Sequence, residues 1–178
     1  MSYNKLNTIW LGGGDMKMNK VKLFWRLGDS SKHIICQLVN DNEEYYSFLK
    51  KQFDAGYRQI IVSSEVMIEL IKDCVLEQDL KVYRIEFAED DSALSNDIDN
   101  LVNAITVRPI LFNTLIEKLR FLAETSSIDI SRIYISGRSK EGIAIDLYIQ
   151  SNGIIAISND ADYILNRVNA LIERCLFG

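Results

Sequence analysis

The stretch IAIDLYIQSNGIIAISND, residues 143–160, decides how the C-terminal half of this chain folds. Ile143, Ile145, Leu147 and Ile149 alternate with Ala144, Asp146, Tyr148 and Gln150, the period of two that sends successive side chains to opposite faces of a strand. Asn152-Gly153 follows, and both residue types tolerate positive φ, so a tight hairpin is expected with IIAIS as the returning strand. The same stretch raises a chemical question. Asp146 lies mid-strand and Asp160 just past the next strand, positions from which acidic residues can assemble a metal site. The alternation by itself explains Asp146 as a residue on the solvated face of a half-buried sheet.

Upstream of the hairpin, RIYIS and the turn GRSKE add one more strand, completing a three-stranded antiparallel meander. Helices are expected on either side of it. Pro109 suits the first turn of a helix in which Leu111, Leu115, Leu119 and Leu122 face inward and Asn113, Glu117, Arg120 and Glu124 outward. A closing helix gathers Ala161, Ile164, Leu165, Val168, Leu171, Ile172 and Cys175 on one face. Asp160 and Asp162 in its first turn and Arg174 near its end match the helix dipole.

The N-terminal half reads as sheet, then as alternating helix and strand. KVKLFWRL alternates with period two, and NTIWL is placed to pair with it across GGGDMKMN. The β-branched content of KHIICQLV favours strand over a short helix. Asp41 and Glu44 have capping-box spacing before a helix carrying Tyr45, Phe48, Leu49 and Phe53, which Gly56 ends. RQIIVS is a short strand, Ser64 a cap for a helix with Met67, Leu70, Ile71 and Cys74, and LKVYRIEFA a further strand. Strand, helix and strand at these lengths predict a right-handed βαβ crossover. A short helix is expected from Ser95, with Ile98, Leu101, Val102 and Ile105 inward. The expected class is therefore α+β: an N-terminal sheet with a βαβ element, plus a C-terminal helix–three-stranded antiparallel meander–helix unit. Residues 1–178 form a single compact domain, or two lobes, 1–88 and 108–178, that share a core.

A chain of 178 residues buries roughly 70% of its unfolded surface, so it needs no disulfide or metal to fold. Its formal charge of −5 argues against coating nucleic acid wholesale. The charge is segregated, with Lys5, Lys17, Lys20, Lys22 and Arg26 against Asp15 in residues 1–28, and no base at all in the acidic run 86–99. Cys36, Cys74 and Cys175 are scattered and odd in number, which fits reduced thiols in the cytoplasm rather than a disulfide framework or a zinc site. The start lacks a signal-peptide run, and no segment reaches the ~18 consecutive apolar residues of a membrane span.

The order helix, three strands, helix over residues 109–176 resembles the core of the PD-(D/E)xK nuclease family. That resemblance implies Glu117, Asp146 and Asp160 as the acidic residues of a metal site. The family also carries a lysine on the strand after the aspartate, and here the matching stretch is Ser158-Asn159-Asp160, so the resemblance implies a degenerate relative ahead of an active nuclease-like domain. The same order occurs in secretion-chaperone-like binding folds, so topology alone does not assign an activity. Elsewhere, Gly12-Gly13-Gly14 precedes a strand and not the helix that a phosphate loop requires. His33 has no second ligand at zinc spacing, and Ser63-Ser64 read as caps. No catalytic residue and no cofactor is expected.

Two binding surfaces are expected instead. Lys20, Lys22, Phe24 and Arg26 share one strand face, a basic face with an aromatic of the kind that takes single-stranded nucleic acid. Tyr45 and Tyr46, with Asp90, Asp91, Asp97 and Asp99, form the alternative, tyrosine anchors with carboxylates that steer a basic protein partner. The favoured expectation is a non-catalytic protein that binds another protein as an accessory, regulatory or immunity-type subunit, with self-association also compatible.

Overall fold

The computed structural model describes residues 18–26, 28, 33–138, 142–158 and 162–178. Along the chain run β1 (Met18–Arg26), β2 (Ile34–Leu38), α1 (Tyr45–Asp54), β3 (Tyr57–Gln59) and α2 (Ser64–Lys72), the last prolonged by a π-helical turn, Asp73–Glu77. There follow β4 (Lys81–Phe87), α3 (Ser92–Val107), α4 (Leu111–Thr125), β5 (Ile130–Arg138), β6 (Ala144–Gln150), β7 (Ile154–Ser158) and α5 (Asp162–Phe177). The α+β class is as the periodicities predict.

The two halves of the chain meet on β1. On one edge it pairs with β2, Val21 opposite Leu38 through Trp25 opposite Ile34. On its other edge the first half pairs with β7, Met18 opposite Ser158 through Lys22 opposite Ile154, and the second half with β3. The result is one sheet in the order β2-β1-β7-β6-β5-β4, with β3 alongside β1, and every pairing in it is antiparallel. The expected βαβ crossover does not form. β3 joins β1 while β4 lies at the far edge beside β5, because α2 carries the chain across the whole sheet instead of back to a neighbouring strand. What was legible as two lobes shares this sheet and one apolar core.

Alternation gives the sheet two unlike faces. Val21, Leu23, Ile85, Ile133, Ile135, Ile145, Leu147, Ile149, Ile155 and Ile157 point into the core, where α2, α3, α4 and α5 supply Met67, Ile71, Ile98, Leu115, Leu119, Val168 and Ile172. At roughly 25 cal/mol per Å² of apolar surface, this face is the main driving force for folding. Ion pairs lace the helix layer: Arg167 holds both carboxylate oxygens of Asp73 at 2.7 and 2.8 Å, and Glu69 bridges Lys72 and Arg120. Among the described residues no helix is long and apolar enough to cross a membrane.

Several local expectations shift by a few residues. The N-cap of α1 is Glu44, whose side chain accepts from the Ser47 N–H, so Asp41 stays outside the helix and pairs with Lys20. Ser63 caps α2, which frees the Ser64 hydroxyl to donate to Asp129 and accept from the Ile130 N–H, clamping α2 to β5. Asp91 caps α3, which begins at Ser92, three residues ahead of the expected start at Ser95. Cys175 is exposed rather than core, because the buried face of α5 ends at Ile172. NTIWL, the glycine run and Ala161 lie outside the described residues.

The 152–153 turn holds the assembly together. The Gly153 N–H bonds to the Gln150 carbonyl at 2.9 Å, and only the glycine, at φ +78°, is left-handed; Asn152 is not. Gly153 also abuts β1 and the strand extension after β3, its carbonyl accepting from the Leu23 N–H at 2.9 Å. A Cβ at this position would overlap the Ile60 carbonyl oxygen. Gly153→Ala is expected to lower unfolding free energy by about 2 kcal/mol or more, from left-handed strain and the backbone clash together. Urea denaturation checks this; a loss below about 0.5 kcal/mol would show that the contact is slack.

Candidate functional site

The face of the sheet turned away from the four core helices is polar and aromatic. Cross-strand register aligns Arg84, Tyr134, Tyr148 and Ala156 in one row and Glu86, Arg132 and Gln150 in the next. A bulge after Val82 brings Tyr83 into the same cluster. The rings of Tyr83, Tyr134 and Tyr148 follow one another with centroids 5.8 and 5.9 Å apart, a tilted ladder across three strands.

Guanidinium groups lie over this ladder. The Arg132 carbon is 5.7 Å from the Tyr134 ring centre and 5.3 Å from that of Tyr148, and Arg84 is 5.6 Å from Tyr134. Glu86 ties them together, pairing with Arg84 at 2.9 Å and Arg132 at 3.5 Å and accepting from the Tyr134 hydroxyl at 3.1 Å. Arg132 donates in turn to that hydroxyl at 2.7 Å. With its amide oxygen turned toward Arg132, Gln150 accepts from Nε and Nη2 at 3.2 and 2.7 Å. Burial pushes the Tyr83 hydroxyl up to about 12, with Asp146 adding to the shift, and burial raises that of Tyr134 as well. Both stay protonated at neutral pH, and the Tyr134 hydroxyl serves as a hydrogen-bonding group, not as a base.

The candidate basic strand is placed differently from expectation. Arg26 is exposed and Lys20 is half-buried against Asp41, but Lys22 and Phe24 are fully buried. The reason is α1, which seats Phe48 edge-on against Phe24 with centroids 5.9 Å apart and so covers the β1 end of this face. The Lys22 ammonium is consumed by the Asn152 and Ile60 carbonyls, and burial lowers its pKa to about 8. An exposed basic face on β1 is thus not what the residues form.

The acidic and tyrosine candidates are not brought together. Tyr45 and Tyr46 sit on α1 at the β1 end, Tyr46 being 77% exposed. Asp90, Asp91, Asp97 and Asp99 sit on or before α3, beside β4 and four strands away, or ~19 Å at the usual strand spacing. Asp91 caps α3, and Asp97 pairs with Lys118.

The nuclease-type set is also dispersed. Glu117 is exposed on α4, in the helix layer, while Asp146 lies on the opposite face of the sheet; Asp160 is outside the described residues. Among the described residues no group of His, Cys, Asp or Glu is arranged to hold a metal. Asp146 is half-buried, and desolvation raises its carboxyl pKa. Compared with protein-family models, curated proteins and solved structures, the chain gives no match. The tyrosine–arginine face escaped the sequence reading because its residues come from three strands. The available signal was the odd–even pattern of RIE, RIY and DLY, in which Arg84, Arg132, Tyr134 and Tyr148 fall on the polar parity; Tyr83 shares the parity of Ile85 and joins them only through the bulge.

A raised folded-state pKa means that Asp146 costs stability once ionised. The loss sets in as pH rises from the unfolded value through the folded one and persists at neutral pH. Asp146→Asn is therefore expected to match or exceed the wild type at pH 7 by up to about 0.5 kcal/mol, with the advantage shrinking near pH ~4. Denaturation at the two pH values, with and without magnesium, tests this. A clear destabilisation, or a magnesium effect that the variant lacks, would contradict it.

Proposed function

We propose that this is a non-catalytic binding protein and that another protein docks on the tyrosine–arginine face of its sheet. The observation that carries the reading is the Tyr83–Tyr134–Tyr148 ladder held under Arg84 and Arg132 on the face opposite the helix layer. Tyrosine and arginine concentrate binding energy at interfaces, since each offers a large contact area and directed hydrogen bonds. Here the buried Tyr134 is a support, and the partly exposed Tyr83, Tyr148 and Arg84 are preorganised against it by cross-strand packing, which reduces the entropy lost on docking. Tyr45 and Tyr46 on α1 lie on the same side of the sheet and extend the surface toward β1. The mutual pairing of Glu86, Arg84 and Arg132 suits a fixed surface better than proton transfer.

A photoreactive phenylalanine analogue placed at Tyr148, and separately at the outward Asn113 of α4, tests this in the native host. A specific protein adduct is expected from position 148 and not from 113. Equal adducts from both, or none from 148 in a protein of unchanged melting temperature, would contradict the reading.

A further inference from the structure

We infer that the segment docking on this face is acidic, an extended stretch of protein whose carboxylates meet the cations of β4 and β5. This rests on the docking role proposed above and specifies the chemistry of the partner. Over β4, β5 and β6 the described residues of this face are Lys81, Arg84, Arg132 and Arg138 against Glu86 and Asp146, four cations to two carboxylates, in a chain whose formal charge is −5. The excess is local and opposes the sign of the whole molecule, so it selects an anionic partner.

Not every cation is available to a partner. Arg132 spends its donors on Tyr134, Glu86 and Gln150 and is a support. Arg84 has one described ion pair, through Nη2 to Glu86, and its side chain is 58% exposed. Lys81 is exposed, with no carboxylate partner among the described residues, and Arg138 is exposed with one bond to the Gly142 carbonyl. These three present outward donors along the β4–β5 side. A guanidinium held over a tyrosine ring, as Arg84 is over Tyr134, has less freedom to turn its N–H fork, which matches the two oxygens of a carboxylate.

Phosphate oxygens would also fit the fork, but the setting favours a peptide over single-stranded nucleic acid. Bases need open aromatic faces on which to stack, and the faces of Tyr134 and Tyr148 are already taken by guanidinium groups. Tyr134 is only 3% exposed. Glu89, Asp90 and Asp91 stand exposed where the chain leaves β4, and would repel a uniformly charged backbone running past that end. A peptide can place its carboxylates over the cations and neutral residues beside the acids.

Fluorescence anisotropy of the full chain with a labelled oligoglutamate peptide, and in parallel with a labelled oligothymidylate, tests the inference. The peptide is expected to bind at about 50 mM salt and to weaken by several-fold at about 150 mM. Oligothymidylate is expected to bind at least about tenfold more weakly than the peptide. Arg84→Gln should reduce peptide affinity several-fold and Lys81→Gln with Arg84→Gln about tenfold, both at exposed positions with unchanged melting temperature. No peptide binding up to about 1 mM, or binding within about twofold of wild type in the double variant, overturns the inference. Tighter binding of oligothymidylate overturns it in favour of a nucleic-acid surface. If the adduct at position 148 forms while the peptide does not bind, the acidic partner is wrong and the docking face stands; if the adduct fails, the docking role itself falls.

Discussion

The register between β1 and β7 is the constraint from which the rest of the architecture follows. Pairing Val21 with Ile155 and Lys22 with Ile154 inserts an N-terminal strand into the C-terminal meander and makes one sheet from both halves of the chain. It also makes β1 an interior strand, flanked by β2 on one edge from Val21 to Trp25 and by β7 and β3 on the other. Where α1 covers this face, Lys22 and Phe24 have no solvated side, while Lys20 and Arg26 toward the strand's ends still reach water. Lys22 is therefore desolvated, and its ammonium is held by the two carbonyls that the β3 and 152–153 segments leave beside it. Breaking such a buried contact costs more than its net stabilisation, because a charge and two acceptors would remain unpaired.

The same register divides the labour between the faces. The odd-numbered residues of β1 and the isoleucine-rich rows of β5, β6 and β7 meet the helix layer, and that apolar burial accounts for most of the folding drive. With folding supplied from one side, the other side is left to hold tyrosines, arginines and a glutamate, the residues on which the proposed docking role rests. Only α1 packs there among the described helices, at the β1 end through Phe48. The functional reading thus grows from the sidedness of the sheet, not from any cleft or nucleophile.

Much of this was legible in the sequence, and the failures have physical causes. The strands with strict alternation, the Pro109-led helix and the closing helix all declare themselves, since each element's inward face is written in a local period. The βαβ expectation failed because helix length and strand order do not say which strand the chain returns to; that depends on which edge is already taken, and β1 had claimed β7 and β3. Lys22 and Phe24 were read as a solvated face because their parity opposed that of Leu23, and nothing local announces that α1 will cover them. Asn152-Gly153 marked the hairpin correctly, but the turn uses a single left-handed glycine after a type of turn in which Asn152 keeps negative φ. The tyrosine–arginine face was invisible for the plainest reason, that residues 83–86, 132–134 and 148–150 are neighbours only after the strands have paired.

If β1 locks the two halves into one cooperative unit, its amides should be as hard to open as those of the meander. Native-state hydrogen exchange of Leu23, which donates to the Gly153 carbonyl at 2.9 Å, compared with Leu147 and Ile149 in β6, measures this directly. The account predicts the same opening free energy at all three, equal to global unfolding and with the same denaturant dependence. Exchange of Leu23 through a smaller opening, with Leu147 and Ile149 still protected to the global limit, would show that the meander stands without β1 and would contradict the account.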